Sequence, residues 1–190
     1  MLYLNHMIAI CVGHSRPNDS GASSVTGVTE WDYNSELAEM IGSSLDEPYK
    51  VYSTYQGAGY VSAIRWLARK LDQDNIKTAI ELHFNAASPK AEGHEWLYWH
   101  SSEQGRLLAR ALRDSFEDSF PQAVSRGIKG RKKGSRGAMF LRKTSMPACI
   151  VEPFFGTNDQ EWDFAVAHKK GIAESIAAGL RLYNDISCNW

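Results

Sequence analysis

The chain has 190 residues, 43% of them hydrophobic, and a formal net charge of −1. That length supports one domain with a substantial core, expected to span residues 1–190 with no separate second domain. The near-zero charge excludes whole-molecule attraction to nucleic acid or to an anionic membrane, and no apolar stretch approaches the roughly 20 residues needed to cross a bilayer.

The first apolar run, residues 7–12, reads as a strand that ends at Gly13-His14. It is too short for a secretory leader and lacks a basic start, so synthesis in the cytoplasm without a signal peptide is the expectation. Thr29 is placed as the N-cap of a helix opening at Glu30, with Asp32 three residues on and an apolar face of Tyr33, Leu37, Met40, Ile41 and Leu45. A strand over 49–54 precedes a helix carrying Tyr60, Ile64, Leu67, Ala68 and Leu71. Strands over 78–84 and 94–99 come next, then a helix from about Glu103 to Phe116 with Ser101 and Gln104 as its capping box. A strand over 148–155 and a helix from Asp159 toward Tyr183 complete the pattern, the helix capped by Asn158 and Glu161, its apolar face Val166, Ile172, Ile176 and Leu180. Gly171 is a candidate interruption of that helix.

Short strands alternating with helices predict a layered α/β domain, a mostly parallel central sheet flanked by helices. The three cysteines are an odd number, and Cys11 and Cys149 fall inside strand-like runs, where buried thiols are ordinary; no disulfide framework is expected.

In open α/β sheets, working groups gather beyond the carboxyl ends of strands. His14 follows the first strand, Glu30 opens the next helix, His83 ends the third strand and Glu152 lies near the end of the last. Imidazoles and an ionised carboxylate suit a catalytic zinc, which takes about three protein ligands and keeps one position for water. A lone histidine is more often a hydrogen-bonded loop residue, and a glutamate in the first helical turn is commonly a dipole partner. Glu152 is different, because a charge inside an otherwise apolar strand is costly without a role, whether as a base or in a buried ion pair.

Together the motifs resemble the zinc-dependent N-acetylmuramoyl-L-alanine amidases of bacterial cell walls and phage endolysins. The resemblance rests on Gly13-His14, Asp19, Gly21-Ala22, Glu30, His83-Phe84-Asn85-Ala86, Pro147 to Glu152, Phe155 and Asn158, and covers nearly the whole chain. It implies one zinc per chain held by His14, Glu30 and His83, with Glu152 as the catalytic glutamate. Glu36 is the competing carboxylate of the same helix.

The resemblance further implies hydrolysis of the amide between N-acetylmuramic acid and L-alanine of the stem peptide, by a lytic, endolysin-type monomer whose partner is peptidoglycan. Such an enzyme would act on the wall after release or export. A zinc carboxypeptidase acting on another amide and a non-catalytic peptidoglycan-binding module are the rival readings.

Three departures from the family pattern stand out, one being the absence of an arginine that often follows the second strand, where the chain has Ser53-Thr54-Tyr55. Ser15-Arg16 replaces a glycine pair, and Glu81 stands where a serine is usual. Alternation puts Glu81 on the strand face of His83, where it can orient that ligand or simply pair with a neighbouring base.

Arg126, Lys129, Arg131, Lys132, Lys133 and Arg136, spaced by glycines, predict a mobile basic loop. Within it Arg126-Gly127-Ile128-Lys129 is similar to a family element near the substrate groove, which makes Arg126 and Lys129, with Asn85, candidate substrate contacts. His94, His100 and His168 are expected to be structural, and Trp96, Tyr98 and Trp99 mainly to pack against the core.

Overall fold

The strands Ile-Ala-Ile-Cys-Val (β1, Ile8–Val12) and Thr-Ala-Ile-Glu-Leu (β3, Thr78–Leu82) are buried along their whole length in the computed structural model, which describes residues 6–187. Continuous burial is what a strand covered on both faces requires, and it explains why these segments show no polar alternation. β2 (Tyr49–Tyr52), β4 (His94–Trp99), β5 (Ser125–Arg131) and β6 (Ala148–Glu152) complete a six-stranded sheet in the order β2-β1-β3-β6-β4-β5. Pairing is parallel except between β4 and β6.

The helices are α1 (Glu30–Ser43), α2 (Tyr60–Gln73), α3 (Glu103–Ser119), α4 (Ala138–Lys143), α5 (Asp159–Ala167) and α6 (Lys169–Ser187). One core, with Leu37, Leu112, Phe116, Ile176 and Leu180, joins α1, α3, α5 and α6 to one sheet face. A second, with Leu67, Leu71, Phe140 and Ile150, seats α2 and α4 on the other. Gly179 lets α6 approach α3 closely, since a Cβ there would lie 2.7 Å from the Leu112 Cα.

The predicted α/β architecture is the one observed, with local corrections. The basic segment is not a loop throughout: Ser125–Arg131 is an edge strand, because residues 128–131 pair with residues 96–99 of β4 and Gly130 packs beside Tyr98 and His100. Ser102 rather than Ser101 caps α3, accepting from the Gly105 amide at 3.0 Å. The last helix divides at His168, the C-cap of α5; Gly171 instead lies inside α6, facing the Phe120 ring.

Met40 and Val166 are exposed rather than core-facing, and α4 has no counterpart in the expected elements. Three strands end earlier than expected, β2 at Tyr52, β3 at Leu82 and β6 at Glu152. Cys11 and Cys149 are buried free thiols, and the third cysteine, Cys188, lies outside the described residues.

Candidate metal centre

β1 and β3 are parallel neighbours, so their carboxyl ends deliver His14 and His83 to the same place. Their rings meet edge to face with centroids 5.1 Å apart. His14 takes a left-handed backbone conformation, φ 59°, unusual for a non-glycine residue and the kind of strain that collects at functional sites. Gly13 and Gly21 make the space: a Cβ at Gly13 would lie 2.3 Å from His83 Cε1, and one at Gly21 would lie 2.7 Å from Glu30 Oε2 and 2.8 Å from the His14 ring.

Glu30 enters from the first turn of α1, whose start is pinned by its amide to Ala22 and that of Trp31 to Ser20, at 2.8 and 3.1 Å. Its buried carboxylate accepts from the Ala22 and Phe84 amides at 3.1 and 3.2 Å. Oε1 lies 2.8 Å from His83 Nδ1, and Oε2 lies 3.4 Å from His14 Nε2. One donor atom from each of His14, Glu30 and His83 falls within 4.8 Å of the others, so this trio can hold a metal ion. Glu36, the competing carboxylate, points to solvent and pairs with Lys169 at 2.5 Å, away from both histidines.

The surroundings fix which nitrogens are free. Asp19 Oδ1 lies 2.9 Å from His14 Nδ1; a carboxylate only accepts, so the imidazole donates from Nδ1 and keeps the Nε2 lone pair toward Glu30. Glu81 Oε2 lies 3.3 Å from His83 Nε2, while its other oxygen accepts from Tyr55 at 3.3 Å. His83 therefore has a carboxylate at each nitrogen. Burial would lower its pKa, but its hydrogen bonds to Glu30 and Glu81 and their charges drive it well above the ordinary histidine value. Burial lowers that of His14 despite Glu30 nearby. Glu30 is itself depressed: burial opposes its charge, and the His83 hydrogen bond together with both imidazoles outweighs that.

Glu152, at the end of β6, lines the same pocket with His14, Glu30, His83, Glu81 and Asn85. It makes no hydrogen bond or ion pair among the described residues. Burial pushes its pKa up, against the charge of His83. Asn85 also faces the pocket, and its Nδ2 is buried without a partner.

Arg126 and Lys129 do not line this pocket. They converge with Arg131 on Glu95, the β4 residue in register with Glu152; Arg126 is 3.0 Å and Arg131 3.5 Å from its carboxylate, and Lys129 forms a tight ion pair. Glu95 is depressed: burial opposes its charge, and Lys129 and Arg126 outweigh that. The cluster thus neutralises a negative charge beside Glu152.

His94 is fully buried and accepts from the Trp96 indole at 2.9 Å, and Trp96 is a core residue, both as expected. Arg16, Tyr55, Tyr60 and Arg136 line the pocket and were not singled out as site residues from the sequence. Tyr55 sits just past the end of β2, Arg16 two residues after His14, and Arg136 at the end of the basic segment.

A mainly parallel α/β sheet carries its working groups beyond the carboxyl ends of its strands, and here that position holds a trio that could take a metal ion. The model of the N-acetylmuramoyl-L-alanine amidase family matches residues 8–181, and the chain belongs to that family. An endolysin of Bacillus phage SPP1 is 24% identical over 184 residues, covering 91% of this chain and 67% of the relative. Among solved structures, the amidase AmiC2 of Nostoc punctiforme superposes with a TM-score of 0.80 at 21% identity, covering 95% of this chain and 98% of its own. The catalytic domain of the CD27L endolysin targeting Clostridia difficile gives 0.77 at 25% identity, over 92% and 96%. The chain is accordingly an amidase of peptidoglycan by family.

Proposed function

We propose that the chain is a zinc-dependent lytic amidase that cleaves the bond between the lactyl group of N-acetylmuramic acid and L-alanine of the stem peptide, with His14, Glu30 and His83 as ligands of one zinc and Glu152 as the catalytic glutamate. The observation that carries this is the convergence of His14 Nε2, His83 and the Glu30 carboxylate in one pocket with Glu152, which makes no hydrogen bond or ion pair among the described residues. Two imidazoles and one carboxylate are a donor set that suits zinc and leaves a position open. Zinc held there supplies a polarised scissile carbonyl and a water acidified toward a pKa of about 7.

The chain's own groups do the rest. Glu152 takes the proton of the attacking water and passes it to the departing alanine nitrogen, a double role that a carboxyl raised by burial is suited to. Asn85 directs its unpartnered Nδ2 to a substrate carbonyl. Glu81 orients His83, and Arg126 and Lys129, held first by Glu95, face wall anions at the flank of the groove. No helix among the described residues is long and apolar enough to cross a membrane; the lytic role rests on the endolysin relative.

Mass spectrometry of digested sacculi, with and without a chelator, tests the reading. Release of intact stem peptides carrying a free L-alanine amine, lost on chelation and restored by zinc, is expected. Cleavage within the stem would indicate a carboxypeptidase, and wall binding without cleavage a non-catalytic module.

A further inference from the structure

Most charges in the pocket are already matched. Glu30 is held by two histidines and two amides, and Glu81 by His83 and Tyr55. Arg16 pairs with Asp19 and lies over the Tyr60 ring, 5.2 Å from its centroid. Two groups of opposite sign remain without a hydrogen bond or ion pair among the described residues, Glu152 and Arg136, and they interact only through their charges. Both line the pocket.

Arg136 is carried by the turn before α4. The Ser135 amide donates to Lys132 at 3.0 Å and the Ala138 amide to Ser135 at 3.2 Å. Gly134 and Gly137, at φ 92° and 75°, take left-handed conformations that side chains rarely adopt, and a Cβ at Gly137 would lie 2.6 Å from Ile150 Cδ1 on β6. The turn is thereby pressed onto the strand that ends at Glu152.

We propose that Arg136 is a specificity-determining residue that binds a carboxylate of the stem peptide, the free carboxylate borne by the residue after L-alanine. The assignment rests on the amidase reading, which places the scissile amide at Glu152. That carboxylate then lies about two residue lengths, roughly 7 Å, from the cleaved bond. A guanidinium meets a carboxylate through paired charge-assisted hydrogen bonds, geometry that a lysine does not reproduce.

Two soluble muropeptides test this, identical except that the residue after L-alanine bears a carboxylate in one and a carboxamide in the other. The zinc-loaded wild type should prefer the carboxylate. Arg136→Gln should lose about 10- to 100-fold in kcat/KM on the carboxylate substrate, mainly through KM, and little on the carboxamide. Arg136→Lys should fall between. Equal loss on both substrates with a displaced pH profile would overturn the proposal and make Arg136 a partner of Glu152; no loss on either would overturn it as well. Calorimetric binding of both muropeptides to Glu152→Gln, with and without Arg136→Gln, reads the same contrast without turnover. A wild type that cleaves neither substrate would sink the amidase reading while leaving this binding contrast to decide on Arg136.

Discussion

The Glu81 carboxylate lies 3.3 Å from Nε2 of His83, the nitrogen opposite the one that faces Glu30. A partner there holds the ring in one orientation and leaves Nδ1 toward the proposed metal position. Such partners commonly contribute 10- to 100-fold to metal affinity. Glu81→Gln should therefore weaken zinc binding by about tenfold or more in a chelator competition, with the circular dichroism spectrum unchanged. Undiminished affinity would reduce Glu81 to a partner of Tyr55.

Glu152 makes no hydrogen bond or ion pair among the described residues, so Glu152→Gln should fold and bind zinc like the wild type. Removing a general base typically costs about 10²–10⁴-fold in rate. Normal release of stem peptides by this variant, measured by chromatography of digested wall, would disprove the catalytic assignment.

Gly13→Ala places a methyl 2.3 Å from His83 Cε1, so the ring must swing away from Glu30. Zinc affinity should fall while the sheet persists. Leu180→Ala is the converse: Leu180 is wholly buried between α6 and its neighbours, so its loss should cost about 2–5 kcal/mol of unfolding free energy and leave zinc affinity alone. Parallel denaturant titrations and metal competitions separate the two effects.

Glu95 gives the pH prediction. Its carboxyl is depressed in the folded chain and ordinary in the unfolded one, so its ionised form stabilises the fold fully above the usual glutamate pKa of about 4.3. That contribution disappears as pH falls through the lower, folded value. Melting temperatures taken between about pH 3 and pH 7 should drop toward acid less steeply in Glu95→Gln than in the wild type. Parallel slopes would mean that Arg126, Lys129 and Arg131 do not hold this carboxylate in solution.

Much of this molecule was legible in its sequence because the relevant physics is local. Apolar runs such as Ile8–Val12 cannot avoid burial, Thr29 is a natural cap for the helix that opens at Glu30, and the position of His14 just past β1 is set by where its apolar run stops. The basic segment misled because glycine and charge both read as loop, whereas the free edge of β4 supplied pairing partners and Glu95 supplied a counter-charge.

Only the folded chain decided which charges are matched. That the carboxylate of Glu30 reaches both imidazoles while Glu36 faces solvent depends on the angle at which α1 leaves the Ala22 turn. That Arg126 is bound to Glu95 while Arg136 is left in the pocket depends on β4, β5 and β6 lying side by side, a contact between segments some 30 residues apart that no local pattern encodes.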